Sequence, residues 1–304
     1  MLDDNELLQR VGKAFVGRAK GDRPAVVIAG SVTRDLIHRG GGTVARIGGT
    51  VWYAGLTLAR LGFPTRIVTR LGAGESGIRI ALAEAGLEAR IEPSTTSTVF
   101  HNSYGDGGPD DRVQAVETVA EPISAQALSA ALGNAALCYL GPLHPGDLSA
   151  AVASRLDGFP IALDVQGYTR RIDHGRVLAE VAPALTPLLA SAKIIKASAA
   201  EACLIAETAD PAEAARRLAG GREDVEILVT CGGDGVHMVA GGEPHHLGAV
   251  PLGDVDPTGA GDIFLAAYLA GRLIGETAFD AAGLAARHAA LCLKGSTHAN
   301  TKLH

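Results

Sequence analysis

Residues 253–273 read GDVDPTGAGDIFLAAYLAGRL, a turn of small residues running into a strongly apolar stretch. Ile263, Phe264, Leu265, Ala266, Ala267, Leu269 and Ala270 leave no polar stripe, so the helix expected to run to about Ile274 is buried all round. Its N-terminus presents unpaired backbone N–H groups and a positive dipole end. Gly259, Ala260 and Gly261 let a charged ligand approach that backbone closely, which makes an anion site. Asp262 then has two readings. It is a carboxylate that takes a proton from a hydroxyl while the N–H groups hold charge, or it merely caps a buried helix. Spacing alone leaves both open.

The rest of the chain supplies the layers such a helix packs on. Ala25–Gly30 is a short apolar run, a buried strand. After Asp35, LIHRGGGTVARIGG reads as a hairpin turning at Gly40-Gly41-Gly42. A helix over 51–61 stops at Gly62 and Pro64; strand 65–71, helix 76–85 and strand 87–92 follow. Beyond 124, strands at 135–141, 160–165, 192–196 and 225–230 alternate with helices at 124–132, 147–156, 199–206 and 211–219. That alternation predicts an α/β fold with a central, mostly parallel sheet flanked by helices. Residues 97–119 break the rhythm: they alternate apolar and polar about an acidic turn at 105–111, a hairpin with one wet face. With 36–47 they predict a small β-sheet lid. Leu7, Leu8, Val11, Phe15 and Val16 recur at helical spacing, so 1–22 is expected to be an N-terminal helical extension and 23–304 one domain.

Composition limits the function. The chain has 304 residues, 27 basic against 33 acidic, giving a net charge of −6. Nucleic acid is not an expected partner, because phosphate-backbone binders carry basic patches and the densest basic stretch here is Arg170, Arg171 and Arg176. No apolar run has the roughly 18 residues a membrane span needs, and the N-terminus lacks the apolar core of a signal peptide. Cys138, Cys203, Cys231 and Cys292 form no CxxC pair, so buried reduced thiols and a cytoplasmic setting are expected. The ten histidines show no metal spacing. No GxxxxGK[ST] phosphate loop is present.

DPTGAGD at 256–262 resembles the C-terminal motif of the PfkB/ribokinase-like carbohydrate kinases, usually D-T-x-G-A-G-D. The similarity runs in order over about 24–295. Gly30 with Asp35 resembles the opening strand and its substrate-binding acid, and Gly48-Gly49 the first glycine motif. Ser198-Ala199-Ala200-Glu201 is similar to N-x-x-E, whose glutamate acts on magnesium through water. Thr230-Cys231-Gly232-Gly233-Asp234-Gly235 resembles the T-x-G-x-x-G turn beside the nucleotide. The resemblance implies a ribokinase-like kinase using ATP and Mg2+, with Asp262 as base and Gly259, Ala260 and Gly261 as anion donors. It places Lys196, Ser198, Thr230, Gly232, Gly235 and Thr258 on the nucleotide, and Glu201 on the metal through water.

The departures concern the acceptor. A sugar-binding asparagine often follows Gly-Gly; here Thr50, Val51, Trp52, Tyr53 and Ala54 stand there. The usual G-x-x-D-x-x-G is Gly72-Ala73-Gly74-Glu75-Ser76-Gly77, and the magnesium-motif asparagine is Ser198. These features coincide with the myo-inositol kinase-like branch, which typically shows D-x-Q-x-x-x-R, K-A-S-x-x-E and V-D-P-T-G-A-G-D. Here they read Asp164-Val165-Gln166-Gly167-Tyr168-Thr169-Arg170, Lys196 to Glu201, and Val255 to Asp262. A cyclitol is the expected acceptor, held by Asp35, Gly48, Gly49, Asn102, Gln166 and Arg170. Trp52 and Tyr53 keep open a nucleoside or aldose acceptor, because an aromatic ring stacks on a base. Two other readings stand beside these: a dinucleotide fingerprint at Gly72–Gly77, and a non-catalytic sugar-binding protein on a kinase scaffold. An exposed lid edge offers a surface for a homodimer.

Overall fold

Val26–Gly30 (β1) is buried along its whole length, and the strand period of two sends Val26 and Ile28 to one core and Val27 and Ala29 to another. Every inner strand of the large sheet repeats this two-sided burial, which is why helices must cover both faces. The computed structural model describes residues 23–104, 112–253 and 255–295; the expected N-terminal helix and the turn at 105–111 lie outside them.

From β1 the chain enters a hairpin, Thr33–Arg39 (β2) and Gly42–Gly48 (β3), then a helix at Thr50–Arg60 (α1). Thr65–Gly72 (β4), Ser76–Glu84 (α2) and Glu88–Ser94 (β5) complete one wing. A second hairpin, Thr98–Tyr104 (β6) and Arg112–Thr118 (β7), precedes Ala125–Leu132 (α3), Leu137–Gly141 (β8), Val152–Arg155 (α4) and Ile161–Asp164 (β9). Next come Arg170–Asp173 (β10), Arg176–Ala179 (β11), Leu185–Ser191 (α5), Ile194–Ser198 (β12), Ala199–Ala206 (α6) and Pro211–Ala219 (α7). Glu226–Thr230 (β13), Val236–Ala240 (β14), Glu243–Leu247 (β15), Ala260–Leu273 (α8) and Ala278–Lys294 (α9) close the described chain.

The large sheet has nine strands in the order β15-β14-β13-β12-β9-β8-β1-β4-β5, parallel except where β14 and β15 fold back antiparallel. The chain leaves β1 toward β4 on one side and returns at β8 on the other, so the strand order reverses beside β1. A crevice opens there at the C-terminal strand ends, the ordinary ligand position of open α/β sheets. α1, α8 and α9 pack on one face and α3, α5, α6 and α7 on the other. Ile263 to Gly271 of α8 are all buried. Each large apolar side chain among them contributes about 1.5–3 kcal/mol, which anchors the turn that precedes the helix.

The small sheet has six strands in the order β10-β11-β7-β6-β2-β3. Its third hairpin, β10–β11, was not expected. The segment is dominated by charge, and only Ile172 and Val177 pack inward, beside Phe100, Val116 and Leu143; the turn is made by His174 and Gly175, both at positive φ. The helix expected over 147–156 shrinks to Val152–Arg155. Asp147 is buried, and its carboxylate accepts from Ser31 Oγ and the Leu143 N–H and lies 2.8 Å from His144 Nε2, which ties its end of the segment into a loop. All four cysteines are free, but only Cys138 is fully buried; the other three sit half-exposed.

Candidate active site

At the C-terminal edge of the large sheet, segments from both sheets enclose a cavity of about 400 Å³, the size of a small-ligand site. The small sheet contributes Thr33, Asp35 and Gln114, α1 contributes Tyr53, and Gly49 comes from just ahead of that helix. Gln166 comes from the turn after β9, Arg170 from the start of β10, Lys196 from β12, and Pro257 to Asp262 from the entrance of α8. Residues far apart in sequence and drawn from both sheets therefore meet at one point.

The entrance of α8 is set by its own chemistry. Asp256 Oδ1 accepts from the Thr258 N–H at 3.0 Å and from its hydroxyl at 2.6 Å, an Asx-type turn. Gly259 follows at φ 78°, and a Cβ there would also meet the Tyr53 ring at 2.6 Å, so only glycine fits. The Ala260 N–H is turned back onto the Pro257 carbonyl at 3.0 Å. This corrects the expectation that Ala260 is one of three anion donors. The N–H groups of Gly259, Gly261 and Asp262 have no partner among the described residues, and no side chain caps the helix.

Asp262 stands in the first turn of α8, with the Tyr139 hydroxyl 3.5 Å from Oδ1. Enclosure by protein and then the nearby Asp164 charge push its carboxyl up to about 7. The Lys196 ammonium and the hydroxyls of Thr50 and Tyr139 oppose the rise. The carboxyl lines the cavity, so it is reachable as well as perturbed. Lys196 Nζ lies 3.0 Å from Asp164 Oδ2, and both residues are almost wholly buried. Burial would discharge the ammonium, but the charges of Asp164, Glu201 and Asp262 outweigh it and hold Lys196 protonated above its ordinary range. Burial pushes the Asp164 carboxyl up, with Lys196 opposing. The ammonium packs under Gly261, where a Cβ would come within 2.6 Å of Nζ. A fixed cation thus sits on the cavity floor beside the helix N-terminus.

Asp35 is buried on the inner face of the small sheet and accepts from the Thr33 hydroxyl at 2.7 Å. Gly48 lies against that carboxylate. Asn102 is buried one layer back, accepting from Gln114 Nε2 at 3.0 Å, and it is Gln114 that reaches the cavity. His101 faces the other way, 2.8 Å from His38 and 2.7 Å from Glu117. Trp52 is in the hydrophobic core, so of the two aromatic residues after Gly-Gly only Tyr53 borders the cavity.

Ser198, Glu201, Thr230, Gly232 and Gly235 do not line this cavity. They form a shelf beside it at the ends of β12 and β13, where Ser198 pairs with Thr230. Ser198 and Glu201 make a reciprocal capping box: the Glu201 carboxylate accepts from the Ser198 N–H at 2.7 Å, and the Ser198 hydroxyl from the Glu201 N–H at 3.3 Å. With one oxygen so engaged, Glu201 is suited to an outer-sphere contact with a metal carried in on donor phosphates, the usual mode for Mg2+. Among the described residues no three His, Cys, Asp or Glu side chains converge on a metal position. Nor is any described helix long and apolar enough to cross a membrane. Gly72–Gly77 lies away from the cavity, and Glu75 there pairs with Arg34 at 2.8 Å. Thr33, Gln114 and Tyr139 escaped the sequence reading, and Asp164 entered it only as the first residue of the D-x-Q-x-x-x-R segment, with no role of its own. A further signal for Asp164 is that it is an acid ending an otherwise apolar strand.

An open entrance to a buried helix, a perturbed acid and a fixed lysine meet at the switch point of this sheet, under a second small sheet, an arrangement suited to a phosphotransferase. The sequence matches the pfkB family carbohydrate kinase over residues 29–302, and the chain belongs to that family. It is a kinase whose acceptor is an alcohol. An inositol 3-kinase of Zea mays is 29% identical over 289 residues, covering 84% of this chain and 68% of the relative. One from Oryza sativa subsp. japonica is 28% identical over 307 residues, covering 90% and 69%. A pyrophosphate-dependent kinase in the ribokinase family, solved with a pyrophosphate analog and myo-inositol, superposes with a TM-score of 0.78 at 21% identity, covering 88% of this chain and 95% of that one.

Proposed function

We propose that this chain transfers the γ-phosphoryl group of ATP to a hydroxyl of a cyclitol, with myo-inositol the first candidate. The observation that carries the reading is Asp262, a reachable carboxyl at an uncapped helix N-terminus, in one cavity with Asp35, Gln166 and Arg170. A cyclitol offers only hydroxyls, and carboxylate, amide and guanidinium groups are what pair with vicinal hydroxyls. The plant inositol 3-kinases support the choice. Trp52 in the core weakens the case for a nucleoside, since one of the two rings that favoured a stacked base is spent on packing.

In this mechanism Asp35, Gln166 and Arg170 orient the acceptor against Asp262, which takes the proton of the attacking hydroxyl. The N–H groups of Gly259, Gly261 and Asp262, with Lys196 beneath them, hold the charge that develops on the transferring group. Ser198, Thr230, Gly232 and Gly235 form the shelf for the rest of the donor, with Thr258 contributing from the entrance of α8. Glu201, beside the shelf, would hold through water a Mg2+ carried in with the donor, and that ion would supply charge neutralisation on the phosphates. The small sheet serves as a lid that keeps out water, and its edge strand β3 is the surface for a homodimer.

A base must be ionised to act, and the Asp262 carboxyl titrates near 7. Turnover should therefore climb as pH rises through about 7 and level off above it. A kcat flat from about pH 6 to pH 8 would remove Asp262 from the role. Acceptor identity is tested by offering myo-inositol, ribose, 2-keto-3-deoxygluconate and nucleosides, each with ATP or pyrophosphate. The highest kcat/KM is expected for myo-inositol with ATP. A preference for ribose or a nucleoside would replace the cyclitol, and turnover with pyrophosphate alone would replace the donor.

A further inference from the structure

The hairpin β2–β3 sets Asp35 directly opposite Arg46, so both side chains leave the same face of one rung. Asp35 lines the cavity. Arg46 reaches from the small sheet to the turn ahead of α8, where Nη1 lies 3.7 Å from Asp256 Oδ2. The other oxygen of that carboxylate holds the Thr258 N–H and hydroxyl, so Arg46 touches the residue that shapes the anion turn. Arg46 Nε is buried and has no hydrogen-bond partner among the described residues. Tyr53 lines the same cavity as Asp35. Burial raises its phenol, and the charges of Asp35, Asp262 and Asp256 raise it further while Arg46 opposes them. All of these groups therefore share one electrostatic neighbourhood.

We propose that Arg46 is a positioning residue that couples the two substrates: a single rung of the small sheet carries the acid for the acceptor and the cation that holds the donor turn. This rests on the reading of Asp35 as an acceptor contact. An acceptor gripping Asp35 fixes the rung, the rung fixes Arg46 against Asp256, and Asp256 fixes Thr258 and the residues that follow. The coupling is reciprocal, so each substrate tightens the other by the same factor. As a stabilising contact the pair matters little, because its side chains are 26% and 39% exposed and such pairs contribute almost nothing measurable.

Initial rates over a grid of MgATP and myo-inositol concentrations test this for the wild type, Arg46→Met, Arg46→Lys, Asp256→Asn and the Met/Asn double variant. Wild-type turnover of myo-inositol secures the kinase reading on its own, and its absence would count against that reading rather than the coupling. Arg46→Met should raise the donor KM about tenfold at saturating acceptor, a typical coupling factor. At low acceptor it should change little, and kcat should stay within about threefold. Arg46→Lys should recover part of the loss, and the double variant should be no worse than the poorer single one. An unchanged donor KM at saturating acceptor, or single effects that add in full, would overturn the proposal. Should Arg46→Met fold poorly by thermal unfolding, Asp256→Asn carries the test, since it keeps the oxygen that Thr258 needs. Intact coupling in that variant would be equally fatal.

Discussion

Asp262→Asn should lower kcat by roughly 10²–10⁴-fold, the range for losing a positioned general base, while donor affinity stays near that of the wild type. The amide keeps the shape and leaves the α8 backbone in place, so the helix N-terminus and Lys196 still receive the donor phosphates. Stability should move the other way. The folded carboxyl titrates near 7, above its ordinary value, because it is enclosed and faces Asp164. A group raised in the folded state binds more protons folded than unfolded, so it costs stability as pH rises from about 4 to 7. Asparagine escapes that cost, and Tm at pH 8 should be equal to or above the wild type's. A fall in Tm alongside the fall in kcat would point to a structural cap rather than a base.

Lys196→Met should cost about 3–5 kcal/mol of stability, the usual result of removing one partner from a buried ion pair. Asp164 is left 1% exposed without its counter-charge, so it folds protonated. Its folded pKa then stands far above its unfolded one, and the loss of stability is absent below about pH 4 and grows as pH rises. Denaturant unfolding at acid and neutral pH measures this. Adding Asp164→Asn should return most of the stability without returning turnover, because the cavity floor has still lost its cation. An equal loss at both pH values would mean that the lysine matters for packing alone.

The parallel sheet was legible because its strands are continuous apolar runs separated by helices of ordinary length. The entrance of α8 was legible because small residues before a wholly apolar helix have few other uses. Both signals are local. The β10–β11 hairpin was not legible, since Arg170, Arg171, Asp173 and Arg176 hide a strand period carried by two apolar residues. Asp147 defeated the helix expected around it through contacts with Ser31, far away in sequence. At the site, Asp35, Gln166 and Arg170 could be placed through the family resemblance. The pairing of Asp164 with Lys196, the turn that takes up the Ala260 N–H and the reach of Arg46 to Asp256 are tertiary facts that leave no spacing to read.

Phosphoryl transfer from ATP to a cyclitol hydroxyl, with Asp262 as base, can be followed by phosphorus NMR of the purified protein with MgATP and myo-inositol. An inositol monophosphate resonance should grow in step with ADP and be nearly absent with Asp262→Asn. ADP released without a sugar phosphate, or an inositol phosphate formed equally well by the Asn variant, would contradict it.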